Sequence, residues 1–158
     1  MPALKRSFIA APLVVSALTL SSCASEETPD WLAWQTQADN FIKQESTSEN
    51  YLGAVGQSVT PKDPVPNEGD GVQLFLSSAA ALKEIKVVCF GENSILANVA
   101  ISSNGAWEAA ESFELACGDS PQELRLASTN APIDAIRFNA TVLDGDGTVV
   151  AATILGAS

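Results

Sequence analysis

Acid–base and nucleophilic catalysis at neutral pH most often relies on histidine, and this sequence of 158 residues contains none. Ser-His-Asp and Cys-His machinery is thereby excluded, and the G-x-S-x-G, S-x-x-K and H-E-x-x-H patterns are also absent. Nineteen Asp and Glu remain, of which two at a suitable separation would suffice for glycoside hydrolysis. Each of them, however, falls where a solvated turn or strand face is expected. The expectation is a protein that is not an enzyme and uses no cofactor.

Two short constellations carry the remaining chemistry. Asp144-Gly145-Asp146-Gly147 has the alternating carboxylates and glycines of part of a calcium loop, but lacks a third acidic position and the closing glutamate. Asp-Gly is also the preferred chemistry of a tight hairpin turn with positive φ, so these residues read as a turn between the last two strands, with no metal. Trp107 follows Asn104-Gly105 and precedes Glu108. An aromatic ring beside hydrogen-bonding groups suits stacking on a sugar, which makes Trp107 the candidate ligand contact. The competing reading is an edge tryptophan that covers the open end of a β-sandwich.

The cysteines depend on the first segment. Lys5 and Arg6 precede an uncharged apolar run from Phe8 to Leu20, an arrangement of n-region and h-region expected of an export signal. Thirteen residues at ~1.5 Å each are too short for a hydrocarbon core of ~30 Å. Leu20-Ser21-Ser22-Cys23 resembles the bacterial lipobox. That resemblance, confined to residues 1–23, implies cleavage of a lipoprotein signal peptide (1–22) and a lipid anchor on the Cys23 thiol. It places the mature chain on the cell membrane, facing away from the cytoplasm, and two acyl chains make such anchoring durable. With Cys23 assigned to lipid, Cys89 and Cys117 are left as a pair in an oxidising compartment, and a disulfide between them is expected.

Loss of residues 1–22 removes two of the eight Lys and Arg and no acid, so the formal charge goes from -11 to -13. An acidic surface repels phosphate backbones and anionic headgroups, so no nucleic-acid partner is expected and the lipid alone must hold the membrane.

Residues 23–29 are short, polar and acidic, as a tether would be. From Pro29, the spacing of Trp31, Trp34, Ala38, Phe41 and Ile42 predicts an amphipathic helix over 30–44, capped by Thr28 or Asp30. Its apolar stripe, with Trp31 and Trp34 as candidate docking residues, has three destinations: the domain itself, a membrane surface or a partner groove. Residues 45–71, with Pro61, Pro64 and Pro66, read as a long connector, of which Tyr51 to Val59 is apolar enough to lie along the domain.

After Gly71 the period changes to two. Val72–Leu76, Ile85–Cys89, Ile95–Ile101, Phe113–Cys117, Leu124–Leu126, Ile136–Val142 and Val149–Ile154 make seven candidate strands, and single-sided alternation predicts an antiparallel β-sandwich over 72–158. Both cysteines are in phase with the apolar face and precede a glycine-bearing polar segment, 90–94 and 118–122, each read as a hairpin turn. The bridge is expected between the sheets or between adjacent strands. Phe75 and Phe90, out of phase, are candidates for a second apolar patch that receives the helix.

The repeated order of strand, cysteine, glycine turn and strand in Lys86–Asn98 and Glu114–Leu126 resembles small two-cysteine β-sandwich lipoproteins of actinobacteria, a resemblance that implies no activity. The functional expectation is a noncatalytic envelope module for a protein or glycan. The alternatives are an accessory subunit of a membrane complex, which an exposed Trp31/Trp34 face would favour, and an enzyme.

Overall fold

The computed structural model describes residues 29–61, 71–126 and 131–157. The expected signal peptide, Cys23 and all of the expected tether except Pro29 lie outside these residues. One helix, α1 (Trp31–Glu45), precedes seven strands: β1 (Tyr51–Val59), β2 (Val72–Ala80), β3 (Leu82–Ser103), β4 (Ala106–Trp107), β5 (Glu111–Leu124), β6 (Ile133–Val142) and β7 (Thr148–Gly156). The fold is all-β and antiparallel after a single helix, as expected. Of the two candidate caps it is Asp30 that closes the helix, its carboxylate accepting the Ala33 N–H at 3.0 Å.

All seven strands belong to one sheet, and pairing along β3 explains how one sheet makes two layers. The first half of β3 pairs with β7 (Ile85↔Ile154, Phe90↔Val149) and the second half with β6 (Ile95↔Val142, Ser102↔Ala135). On the opposite edge β5 follows both halves, through Ile85↔Leu124 and Ile95↔Leu115. β1 extends the first layer by pairing with β7, and β2 extends the second by pairing with β6. The result is a sheet creased across its width, with β1–β7–β3–β5 in one layer and β2–β6–β3–β5 in the other. Strands that pass between layers at a bend are a known way to turn such a corner.

The crease runs through Gly91 (φ 136°) in β3, the register break of β5 around Cys117–Gln122, and Asp144–Gly147 between β6 and β7. These are the segments read above as turns, and the structure corrects three expectations there. Residues 90–94 and 118–122 are bends inside continuous strands rather than hairpins, because the chain keeps its ladder partners on both sides of the glycine. Asp144–Gly147 joins two strands that pair with successive halves of β3. Gly145 (φ 81°) and Gly147 (φ 128°) supply the expected positive φ, and the Asp144 carboxylate accepts the Ser94 N–H at 2.6 Å and its hydroxyl at 3.0 Å.

A fourth correction falls on the connector over 45–71. Within it Tyr51–Val59 is a full strand, so the folded unit includes β1 and α1 rather than starting at residue 72. The sheet bends back until its two ends meet: a Cβ added at Gly53 of β1 would stand 2.5 Å from a Leu74 methyl of β2.

The main core lies between the layers and joins Val55, Ile85, Val87, Val150 and Ile154 of the first to Ile95, Val99, Ile101, Ile136 and Phe138 of the second. A second, smaller core lies outside the first layer. There Val88, Phe90, Val149 and Ala151 receive Trp31, Trp34, Ala38, Phe41 and Ile42 of α1. β7 is consequently covered on both faces and all nine of its residues are buried. That explains why its sequence, Thr148-Val149-Val150-Ala151-Ala152-Thr153-Ile154-Leu155-Gly156, is apolar without alternation. Trp31 reaches the crease, where Gly147 leaves room for its ring: a Cβ there would be 2.5 Å from the indole. Lys86 of β3 closes the far end of the helix through an ion pair with Glu45 at 2.8 Å.

The Cys89–Cys117 disulfide is present, between the adjacent strands β3 and β5 at the crease, with Cα atoms 4.8 Å apart. Of the two placements left open, adjacent strands is the one found. The bridge ties together the two strands that both layers share.

Candidate functional site

Cross-strand partners in a sheet share a face, so the register defines the outer side of the second layer. Leu74, Ile101 and Ile136 point into the core. Their neighbours point outward, in a row of directly paired residues, Phe75, Ala135, Ser102 and Trp107, from β2, β6, β3 and β4 in turn. A second row is Gln73, Arg137 and Ala100, and a third contains Asn139, Asn98 and Ser112. α1 packs on β7, β3 and β1, away from this surface.

Trp107 is held here by a short hairpin. Asn104 (φ 54°) and Gly105 (φ 77°) both have positive φ, the requirement of the two-residue turn that Asn-Gly favours, and Ser102 and Ser103 pair with Trp107 and Ala106. The carboxylate of Asp134 braces the turn by accepting the Gly105 N–H at 2.7 Å. Hydrogen bonds from the Ser102 side chain and from the Gly105 backbone hold that carboxyl below its usual range. The Ser103 hydroxyl donates to the Pro132 carbonyl at 3.1 Å, a second tie between the hairpin and the start of β6.

The guanidinium of Arg137 lies 4.1 Å from the centroid of the Trp107 ring, within the range of a cation–π contact. Its Nε is buried and has no hydrogen-bond partner. Trp107 retains 36% of its surface and Phe75 71%, whereas Ala135 and Ser102 between them are buried. Three strand spacings of ~4.8 Å separate the columns of Phe75 and Trp107, about 14 Å in all. The row therefore reaches solvent at its two ends, through Phe75 and Trp107, while the small side chains between them are covered by their neighbours. On the same face, the Ser112 hydroxyl donates to the Asn98 side-chain oxygen at 2.6 Å.

The other candidate residues fall elsewhere. Trp31 and Trp34 are on the opposite outer face, their rings edge to face at 5.4 Å and packed against the smaller core. Of the three destinations for their stripe, the domain itself is the one found. Phe90 belongs to that patch, and Phe75 does not: it stands in solvent on the second layer, because β2 pairs only with β6, on the side of the molecule that α1 leaves open. Among the described residues, no group of three or more His, Cys, Asp or Glu is placed to hold a metal ion. Cys23 lies outside the described residues, and no described helix is long and apolar enough to cross a membrane.

Arg137 and Asp134 did not stand out in the sequence. The signal for Arg137 was its position as the lone charge in the outward phase between Ile136 and Phe138. For Asp134 nothing local pointed to a turn thirty residues earlier.

Comparisons with protein-family models, curated proteins and solved structures find no match to this chain.

Proposed function

We propose that this chain is an exported lipoprotein, held at the membrane by lipid on Cys23, that works as a noncatalytic binding module through the face of its second layer that α1 does not cover. The supporting observation is the unequal treatment of the two outer faces. The helix stripe of Trp31 and Trp34 already has its partner within the molecule, while Phe75 and Trp107 stand exposed on a braced, rigid sheet. Rigid aromatic side chains on regular strands contact a ligand at low entropic cost. An accessory role resting on the Trp31/Trp34 face loses its expected surface by the same observation.

Anchoring is tested by fractionating cells that express Cys23→Ala: the variant should leave the membrane fraction, and continued membrane association would refute the lipid anchor. The binding face is tested with a photo-crosslinking residue in place of Phe75 or, separately, of Leu32 on the exposed side of α1. Envelope material captured from position 75 and not from 32 supports the module; capture from 32 alone would move the function to the helix.

A further inference from the structure

We infer that the surface carrying Phe75 and Trp107 is a site for a neutral polysaccharide, an inference that rests on the binding-module reading and names its ligand class. Four observations converge on it. Phe75 and Trp107 lie in one row at about 14 Å, separated by the small side chains of Ala135 and Ser102, which are buried among their neighbours, so linked rings would bridge the two aromatics. Sugar rings present apolar C–H faces to aromatics and hydroxyls at their edges. The adjoining rows supply matching donors and acceptors in Gln73, Arg137 and Asn98.

Arg137 adds a second element. Its guanidinium is fixed against the indole rather than extended into solvent, and its Nε lacks a partner. An arginine held in this way offers the terminal N–H donors of its guanidinium, though not the buried Nε, to hydroxyl oxygens at little conformational cost.

Charge selects among ligands. At a formal net charge of -11 the chain repels polyanions at long range, which disfavours teichoic or uronic polymers as well as nucleic acids. A protein interface of ordinary size needs about 800 Å² per partner around a contiguous apolar centre. Here two separate aromatics flank small and polar residues, an arrangement that fits an extended, hydroxyl-rich chain better.

The test is affinity electrophoresis of the full chain in neutral detergent through gels containing a mannan, a β-glucan or a galactan, with a polyuronate as the anionic control. Retardation by at least one neutral polymer is expected, weakened tenfold or more in Trp107→Ala, severalfold in Phe75→Ala, and largely kept in Trp107→Phe. If Trp107→Ala disturbs folding, Phe75→Ala still decides, because its ring stands 71% exposed and outside both apolar cores. Retardation by the polyuronate alone, retardation insensitive to both alanine variants, or none at all would overturn the assignment. In the last case, a protein crosslinked from position 75 leaves the binding module standing with a protein as its ligand, and the absence of any crosslink removes both readings.

Discussion

The two layers of the creased sheet share β3 and β5, yet their outer faces have opposite fates. The first carries Val88, Phe90, Val149 and Ala151 outward and is covered by α1. The second carries Gln73, Phe75, Arg137 and Asn98 outward and leaves Phe75 and Trp107 in solvent. An outward apolar patch on a sheet must be covered or used, since burial of apolar surface is worth about 25 cal/mol per Å². The chain covers one patch with α1, and among the described residues no second helix lies on the other. Stability and recognition are thereby assigned to opposite sides of one sheet, and changes on the two sides should have different consequences.

The sharpest way to break this comparison is a matched pair of substitutions. Phe90→Ala removes a ring that is 7% exposed beneath α1, and Phe75→Ala removes one that is 71% exposed on the other face. Denaturant unfolding should show a loss of about 4 kcal/mol for the first and a change within roughly half a kcal/mol for the second. Similar losses at both positions would mean that the second face is covered as well.

Next in size is the bond at the crease. The bridge closes a separation of 28 residues, and its removal in Cys89→Ser should lower stability by about 3 kcal/mol. For a domain of this length that corresponds to a fall of more than about 10 °C in melting temperature. Because the bridge joins strands common to both layers, they should melt together, with tryptophan fluorescence from the helix side and backbone circular dichroism giving one transition. An unchanged melting curve would refute this role.

The smallest effect concerns acid. Asp134 has its folded pKa lowered by the Ser102 and Gly105 hydrogen bonds, so the turn stabilisation it provides is present above the ordinary carboxylate range. It is lost as pH falls through the lowered folded value. Acidification below the usual carboxylate range should free the Trp107 hairpin and alter tryptophan emission in the wild type, while Asp134→Asn should lack that step. An identical acid titration in the variant would show that Asp134 does not hold the hairpin.

Much of this architecture was legible locally. Trp31, Trp34, Ala38, Phe41 and Ile42 marked the helix to within a residue at each end, and Asp30 was one of two caps considered. The inward phases of Ile85, Val87 and Cys89, and of Ile136 and Phe138, were readable from alternation alone. β1 was not, because Gly53, Gly56 and Gln57 dilute its apolar pattern. What makes it a strand is the ladder with β7, together with a close approach of the Leu74 side chain, which would have to shift for any larger residue at position 53. At the candidate site, Trp107 was visible as an aromatic beside a turn, but its partners Phe75, Asp134 and Arg137 come from strands about thirty residues away on either side.

By itself, then, the order of residues determined the helix and the inward faces of most strands, since periodicity is a local property, while the pairing of Cys89 with Cys117 followed only once Cys23 was assigned to lipid. Only the tertiary structure decided that the glycine segments at 91 and 118 bend strands instead of reversing them, that the segment at 145 links two strands paired with successive halves of β3, and that α1 covers one outer face and not the other. A glycine permits either a bend or a turn at similar local cost, so the outcome depends on which ladder partners and which core lie on each side, and those come from distant parts of the chain.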